Sequence, residues 1–402
     1  MKKLILLSLF LFLVPLSGTY FPQWHQTLSP VVGSVFCLTS DSTRVFAGAD
    51  SGVYITTDNG VNWAQTNNGL SKSAFVISLA VSGSDIFAGS YLGGVFRSTN
   101  YGSNWTQMDN GLPASFTVFA LAVNDTNIFA GTDGGGVYRS TNNGAAWLQM
   151  NNGLTNTSVR SFLVNSSGIF AGTADGVFFS SDNGAIWKLS GLNNNSYIYS
   201  FISAGSDIFA GTINGVQLSA DNGSSWTYAG LNLNVLTLAA NDTVIFAGTD
   251  NSGVFITGNN GVKWSSANDG LTDNYVRSLV VKGNSIFAAT NSAGAWKRPL
   301  SEFITGVSDE ANVIPKDFSL SQNYPNPFNP NTIISYSLPL ASNVKLIVYN
   351  TLGQTIRLLD NSYKHPGNYS VSFNASNLPG GVYFYKLDAG QFSQIKKMIL
   401  LK

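Results

Sequence analysis

Four aspartates are the first candidates for chemistry in this 402-residue sequence. Each follows closely after a copy of one apolar motif, Ile/Val-Phe-Ala-Gly, so the four carboxylates are expected on one face of the fold. Two carboxylates at a suitable separation are enough to hydrolyse a glycosidic bond. Asp is also an ordinary turn residue, which leaves a purely structural interpretation open. The four residues are Asp50, Asp133, Asp175 and Asp250.

A second candidate set lies near the start of another repeated strand. Most copies of that strand carry an apolar side chain at this slot, namely Phe36, Ile77, Phe119 and Leu236. The remaining three copies carry polar or charged side chains instead, and polar residues that break a local rule are often found at functional sites. Pairing with nearby loop carboxylates would explain them equally well. The three residues are Arg160, Tyr199 and Arg277.

The element that must position these residues is a repeat built around a tryptophan. The pattern [Ser/Thr]-x-[Asp/Asn]-x-Gly-x-x-Trp occurs six times, and its tryptophans are spaced 42, 42, 40, 39 and 38 residues apart. A period near 40 residues with several short strands per unit is typical of a β-propeller. We call these segments the Trp turns; their tryptophans are Trp63, Trp105, Trp147, Trp187, Trp226 and Trp264.

The third position of the Trp turns indicates a structural role. Asp and Asn exchange freely there, so the position needs a hydrogen-bond acceptor and not a negative charge. A general acid or a metal ligand would not tolerate that exchange. The glycine two residues later supplies a positive φ at little steric cost. The third-position residues are Asp58, Asn100, Asn142, Asp182, Asp221 and Asn259.

The number of blades follows from a mismatch between two repeats. The Ile/Val-Phe-Ala-Gly/Ala strand occurs seven times, but only six Trp turns exist, so the last unit lacks its outer strand. The segment Trp24-His25-Gln26-Thr27 matches Trp63-Ala64-Gln65-Thr66 and precedes it by 39 residues. The sequence therefore predicts an all-β, seven-bladed β-propeller over residues 20–300, closed by its N-terminal strand, which hides open sheet edges.

The Trp turns resemble the Asp-box (BNR) repeat of the sialidase superfamily of propellers, which also includes xyloglucanase-type glycosidases, sortilin-type receptors and photosystem II assembly factors. By that resemblance, a sialidase site needs three arginines, a Tyr–Glu pair and an Asp acid. Residues 20–300 contain no Glu, because the two in the chain are Glu302 and Glu310, and no Arg-Ile-Pro motif occurs. Xyloglucanase-type enzymes use two propellers, whereas one is predicted here. The resemblance thus indicates a fold more than an activity.

The tail, residues 318–402, has alternating runs bounded by Pro, Gly and Asn, which predict a small Ig-like β-sandwich. An acidic linker, residues 301–317, precedes it.

The tail resembles the C-terminal sorting domain of type IX secretion cargo in four segments: Asn323 to Pro330, Val348 to Gln354, Asn377 to Tyr383 and Lys396 to Lys402. The resemblance implies the type IX machinery as a partner, export across the outer membrane of a Gram-negative bacterium and, commonly, removal of the tail and attachment to surface lipopolysaccharide.

Residues 1–19 read as a secretory signal peptide. Lys2 and Lys3 precede an uncharged run of thirteen mostly apolar residues, Leu4 to Leu16, which is too short to span a bilayer comfortably. No later stretch has membrane-spanning length, so no transmembrane segment is expected after cleavage.

Composition excludes several other classes of function. Residues 20–300 carry 11 basic and 15 acidic side chains, a net charge of −4, without a basic stripe, so nucleic-acid binding is not expected. Cys37 is the only cysteine, and the only histidines are His25 and His365, so we expect no disulfide, no metal site and no cofactor. In other repeats the position of Cys37 holds a small residue, which favours packing over reactivity.

The leading hypothesis is a secreted, surface-displayed propeller that binds an extracellular glycan or protein through its loop face. The alternative is a two-aspartate glycoside hydrolase.

Overall fold

The computed structural model describes residues 23–27, 33–71, 74–113, 116–192, 196–241, 244–304, 317–323, 325–364 and 366–401. The predicted signal peptide and most of the predicted linker lie outside these ranges. The chain forms two compact units, divided between Ile304 and Thr305. Among the described helices, none has the length and apolar character needed to cross a membrane.

The first unit consists of seven four-stranded antiparallel sheets, the blades of a propeller. The inner strands are β2 (Val35–Ser40), β6 (Val76–Ser82), β10 (Val118–Asn124), β14 (Val159–Asn165), β18 (Ile198–Ala204), β22 (Val235–Asn241) and β26 (Val276–Lys282). The second strands are β3 (Val45–Ala49), β7 (Asp85–Ser90), β11 (Asn127–Thr132), β15 (Gly168–Thr173), β19 (Asp207–Thr212), β23 (Val244–Thr249) and β27 (Ser285–Thr290).

The two remaining strands of each blade are shorter. The third strands are β4 (Gly52–Thr56), β8 (Gly94–Ser98), β12 (Gly136–Ser140), β16 (Gly176–Ser180), β20 (Gly215–Ser219), β24 (Val254–Thr257) and β28 (Ala295–Pro299). The outer strands are β5 (Ala64–Gln65), β9 (Thr106–Gln107), β13 (Leu148–Gln149), β17 (Lys188–Leu189), β21 (Thr227–Tyr228), β25 (Ser265–Ser266) and, for the last blade, β1 (His25–Gln26).

The N-terminal strand closes the ring, as predicted. Strand β1 pairs antiparallel with β28, with His25 opposite Lys297. The indole Nε1 of Trp24 donates to the carbonyl of Ala267 at 2.6 Å. Trp105 makes the equivalent bond to Thr66 of the preceding blade at 2.7 Å. Trp24 therefore acts as the seventh tryptophan of the ring, and the prediction of seven blades closed by the first strand is confirmed.

The core lies between the blades and depends mainly on the second strands. Each second strand contributes a phenylalanine that is at most 1% exposed, and burying a side chain of that size stabilises a fold by about 2 kcal/mol. Gly48 follows one of them, and a Cβ there would lie 2.7 Å from the carbonyl oxygen of Val76 in the next blade. The glycine thus permits close approach of neighbouring blades. The phenylalanines are Phe46, Phe87, Phe129, Phe170, Phe209, Phe246 and Phe287.

The Trp turns share one hydrogen-bond pattern. In the second of them, the Oδ1 of Asn100 accepts from the hydroxyl of Ser98 at 2.9 Å and from the N–H of Asn104 at 2.9 Å. The hydroxyl of Ser98 in turn accepts from the N–H of Gly102 at 2.8 Å. Where the acceptor is an aspartate, the same bonds lower its pKa. For Asp58 the N–H and the side chain of Asn62 are the main donors, and its pKa falls to about 2.

The first unit extends beyond the boundary expected from composition. Residues 301–304, assigned to the linker by sequence, form the short helix α1 (Ser301–Ile304). Phe303 is buried against Trp24, with ring centroids 6.3 Å apart, and against Phe246, 5.1 Å apart. The side chain of Arg298 pairs with Glu302 at 3.1 Å. The acidic residue at 302 therefore belongs to the closing blade.

The second unit is a β-sandwich with one apolar core. Its three-stranded sheet runs in the order β29 (Ser319–Leu320), β30 (Asn331–Leu338), β33 (Gly367–Asn374). Its four-stranded sheet runs in the order β32 (Thr355–Lys364), β31 (Ser342–Tyr349), β34 (Gly381–Ala389), β35 (Phe392–Leu400). The buried Phe328 binds the last strand, because its N–H donates to the carbonyl of Ile399 at 2.9 Å.

Candidate functional site

A β-bulge near the start of the inner strand recurs in all seven blades. In β14, Val159 pairs with Thr173 and Ser161 with Gly172, which leaves Arg160 without a partner in the ladder. Such a bulge redirects the side chain of the extra residue. The bulged residues are those of the variable slot: Phe36, Ile77, Phe119, Arg160, Tyr199, Leu236 and Arg277.

These bulges build a single cavity of about 350 Å³. Every blade contributes its bulged residue to the wall, and Tyr91 and Tyr275 complete it. We call this space the axial cavity, since all seven inner strands surround it. Its volume lies at the lower end of the range for small-ligand sites. Its described lining contains two arginines, no aspartate and no glutamate.

Arg160 lies between aromatic rings. Its guanidinium carbon is 4.4 Å from the ring centroid of Phe119 and 5.2 Å from that of Tyr197. Its Nε is buried and has no hydrogen-bond partner among the described residues. A buried donor without an acceptor costs about 1–3 kcal/mol, so the described residues leave part of the hydrogen-bonding capacity of this guanidinium unused.

Arg277 has a similar aromatic surround but a fixed orientation. Its guanidinium carbon lies 5.0 Å from the ring centroid of Phe36 and 4.8 Å from that of Tyr275. Its Nε and Nη2 donate to the Oδ1 of Asn291 at 2.9 and 2.5 Å. Among the ion pairs between described residues, none involves Arg160 or Arg277, so pairing with the loop aspartates does not account for their charge.

Tyr199 supplies a hydroxyl to the cavity wall. Its ring stacks on that of Tyr197, with centroids 5.9 Å apart and planes 15° from parallel. Burial raises the pKa of Tyr199, the nearby charge of Arg160 opposes this only in part, and Tyr197, Tyr275 and the charge of Asp250 add to the rise. The phenol therefore stays protonated at neutral pH and can donate a hydrogen bond. A nucleophilic tyrosine would need the opposite shift of its pKa.

Exposed aromatic rings lie next to the cavity wall. Tyr91 is 52% exposed and Phe75 is 41% exposed, and their rings meet edge to face at 6.5 Å. Tyr197 is 37% exposed. Large exposed rings grouped beside a cavity are typical of binding sites and not of an inert surface.

In each blade, one backbone hydrogen bond fixes the loop that follows the second strand to the start of the inner strand. The first loop residue after the second strand donates its backbone N–H to the residue before the inner strand. In the second blade, for example, the N–H of Tyr91 donates to the carbonyl of Phe75 at 2.9 Å. The donors are Asp50, Tyr91, Asp133, Ala174, Ile213, Asp250 and Asn291. The cavity therefore has a fixed frame.

The four candidate aspartates lie in these loops but do not line the cavity. Each carboxylate accepts a hydrogen bond from a residue of a neighbouring loop segment. Asp50 accepts from the N–H of Ser34 at 3.3 Å and Asp133 from the hydroxyl of Ser158 at 3.1 Å. For the other two the donors are side-chain amides: that of Asn156 binds Asp175 at 2.7 Å, and that of Asn234 binds Asp250 at 3.2 Å.

Sequence reasoning found the variable slot but missed part of the wall. Tyr91 and Tyr275 line the cavity but are not among the candidates that the sequence indicates. The signal for Tyr275 is its place directly before a repeated inner strand, where Ser34 and Thr117 stand in other blades. Among the described residues, no cluster of three or more His, Cys, Asp or Glu side chains could hold a metal ion.

Comparison with known proteins identifies the second unit. Residues 322–401 match the family model described as a secretion system C-terminal sorting domain. This unit is a type IX sorting domain. The sorting domain accounts for one unit only, and no curated protein matches the sequence as a relative.

Solved structures resemble the chain at low sequence identity. PorZ from Porphyromonas gingivalis, described as a bacterial surface component of the type-IX secretion system, has a TM-score of 0.54 at 14% identity, covering 92% of this chain and 60% of its own. The extracellular domain of the putative one component system BT4673 from B. thetaiotaomicron has 0.59 at 18%, covering 78% and 46%. The GH74 xyloglucanase from Xanthomonas campestris has 0.58 at 15%, covering 79% and 59%.

This chain thus spans about half to three fifths of the length of each of these three structures. At such identities the likeness supports the fold and carries no activity from one protein to another.

Proposed function

We propose that the protein is a secreted binding protein whose propeller takes an extracellular glycan or protein ligand into the axial cavity. The observation that carries the proposal is the convergence of seven bulged residues, one per blade, on one cavity. A bulge repeated in all seven blades provides identical geometry, while the residue type at its tip differs from blade to blade. That combination is typical of a recognition site on a rigid scaffold.

Export supports an extracellular ligand. The sorting domain implies transport across the outer membrane by the type IX machinery. We infer further that the exported protein is displayed at the cell surface after its tail is removed. Residues 318–402 carry seven basic and two acidic side chains, a net charge of +5. A charge of this size is consistent with a soluble, exposed β-sandwich.

A binding panel with a blocked cavity tests the proposal. The full chain is screened against extracellular polysaccharides and surface proteins, together with Leu236→Trp, which fills the cavity. Leu148→Trp is the matched control, because Leu148 is exposed on outer strand β13. We expect binding by the wild-type chain and by Leu148→Trp, and loss with Leu236→Trp. Absence of binding across broad panels would leave a purely structural surface role.

The rival function, a two-aspartate glycosidase, requires a different result. Hydrolysis of a polysaccharide by the full chain would have to disappear when Asp50, Asp133, Asp175 or Asp250 is singly replaced by Asn. We expect no hydrolysis that depends on these aspartates. Each carboxylate accepts a hydrogen bond from a neighbouring loop group, and none of the four lines the cavity.

A further inference from the structure

The charge and shape of the axial cavity specify a ligand class. We propose that the cavity binds an acidic sugar, with a carboxylate or sulfate group that meets the guanidinium of Arg160. This inference rests on the proposed function and adds the chemistry of the ligand to it.

The first argument is that two cationic side chains face the cavity and neither forms an ion pair within the described part of the chain. Two guanidiniums line the cavity, the described lining includes no carboxylate, and neither arginine forms an ion pair with a described residue. Outside the cavity, Arg97 pairs with Asp85 at 2.6 Å and Arg44 with Asp41 at 2.9 Å. A partly buried cation that lacks an internal partner gains most from an anion that enters the site.

The second argument is the unused hydrogen-bonding capacity of Arg160. Its Nε has no hydrogen-bond partner among the described residues, and its guanidinium carbon lies over the rings of Phe119 and Tyr197. The donors of a guanidinium match the two oxygens of a carboxylate or sulfate. Arg277, already oriented by Asn291, supplies a second positive charge in the same cavity.

The third argument favours a sugar over an acidic peptide. The rings of Tyr91, Phe75 and Tyr197 are exposed on the same face as the cavity mouth. A pyranose presents C–H groups on one face and hydroxyls at its rim, so it can lie on such a ring and still bond the hydroxyl of Tyr199. The cavity, at about 350 Å³, has room for one or two sugar units and not for a folded segment of a partner protein.

Pairs of polysaccharides that differ only in charge provide the test. The full chain is titrated with polygalacturonate against its fully methyl-esterified form, and with dextran sulfate against dextran. We expect each acidic member to bind at least about tenfold more tightly than its neutral partner, with an affinity that falls as salt is added. The two pairs separate a carboxylate ligand from a sulfate ligand.

Variants locate the anion. Arg160→Met keeps the apolar stem and removes the charge, and we expect it to lose about tenfold or more in affinity for the acidic probe, as should Arg277→Met. Arg160→Lys should recover part of the loss. Arg139→Met is the control, because Arg139 lies on third strand β12 and donates to the carbonyl of Asn183 at 2.8 Å. Melting temperatures confirm that each variant is folded.

Three results would overturn the inference. Equal binding of dextran and dextran sulfate, sensitive to Leu236→Trp, would keep the cavity as the site but refute the acidic ligand. Tighter binding of polyglutamate than of any polysaccharide would indicate an acidic peptide instead. Unchanged affinity in both Arg160→Met and Arg277→Met would place the anion elsewhere.

Discussion

The indole Nε1 of Trp24 donates to the carbonyl of Ala267 at 2.6 Å, across 243 residues of sequence. The backbone N–H of Trp24 also donates to the carbonyl of Asp269 at 2.7 Å. Trp105 makes the same pair of bonds to Thr66 and Asn68 within the ring. The first strand thus occupies the place of a missing Trp turn, and ring closure uses the same pair of bonds that Trp105, Trp147 and Trp187 make within the ring.

Replacing Trp24 by Phe should destabilise the propeller more than the same change at Trp63. Trp24 is 2% exposed and its indole is hydrogen-bonded, whereas the indole nitrogen of Trp63 has no partner among the described residues. We expect the Trp24 variant to lose about 1–2 kcal/mol of unfolding free energy and the Trp63 variant clearly less. Denaturant unfolding of the two full-length variants measures this, and equal losses would argue against a specific closing contact.

The Trp turns should make the propeller sensitive to acid. Hydrogen bonds within the turns lower the pKa of Asp58, where the N–H of Asn62 is the largest cause, and of Asp182, where the hydroxyl of Ser180 is. Burial alone would raise the pKa of Asp221, but the hydrogen bonds in its turn outweigh it. Since the folded-state pKa values lie below the unfolded ones, this stabilisation is present above about pH 4 and is lost as pH falls towards 2.

A triple change to Asn at the three aspartates should therefore flatten the fall of unfolding free energy between about pH 4 and pH 2. The reverse triple variant, with Asp at Asn100, Asn142 and Asn259, should steepen it. Thermal melting across this pH range checks both, and identical pH profiles for the two variants would show that the turns do not contribute.

Cys37 should be unreactive in the folded protein. Burial raises the pKa of its thiol to about 12, and the N–H of Gly48 only partly opposes this. Its Sγ faces the carbonyl of Val76 at 3.8 Å, where the hydroxyl of Ser78 bonds Val118 at 2.8 Å in the next blade. We expect negligible thiol labelling at pH 8 until denaturant is added, and a Cys37→Ser variant of nearly unchanged stability. Fast labelling of the native chain would contradict this.

The hydroxyl of Tyr385 should fix the backbone of the first residues of the sorting domain in place. Its buried hydroxyl accepts from the N–H of Asn323 at 2.8 Å and donates to the carbonyl of Ser321 at 2.7 Å. Tyr385→Phe would leave two backbone groups unpaired and should cost about 2 kcal/mol. Tyr383→Phe, which breaks one bond to Pro379, is the control. We expect Tyr385→Phe, but not Tyr383→Phe, to speed hydrogen exchange in peptides that contain residues 321 and 323. Export of the protein should fall in the same variant only.

The repeats made the fold predictable from sequence, but not the direction of every side chain. The match of Trp24 to Trp63 predicted ring closure, because the same apolar pattern must form the same strand. The variable slot also emerged from the repeats. Its direction into a cavity did not, because a bulge shifts the register by one residue without a distinctive residue type. For the same reason Asp133 and Arg160 looked equally able to form a site.

Local composition placed the boundary between the propeller and the linker a few residues too early. Glu302 belongs to an acidic stretch, which predicted a linker from residue 301. The structure pairs Glu302 with Arg298 and buries Phe303 beside Trp24, a contact made by the end of the propeller with its beginning. A four-residue helix is too short for its pattern to be recognised, and its stability comes from that packing.

Oxidative footprinting of the full chain, with and without a bound acidic polysaccharide, tests the central claim most directly. If the ligand lies in the axial cavity, Tyr91, Tyr199 and Tyr275 should be protected, while Tyr228, exposed on outer strand β21, should react as before. Protection of Tyr101, in a Trp turn, with the three cavity tyrosines unchanged would contradict the account.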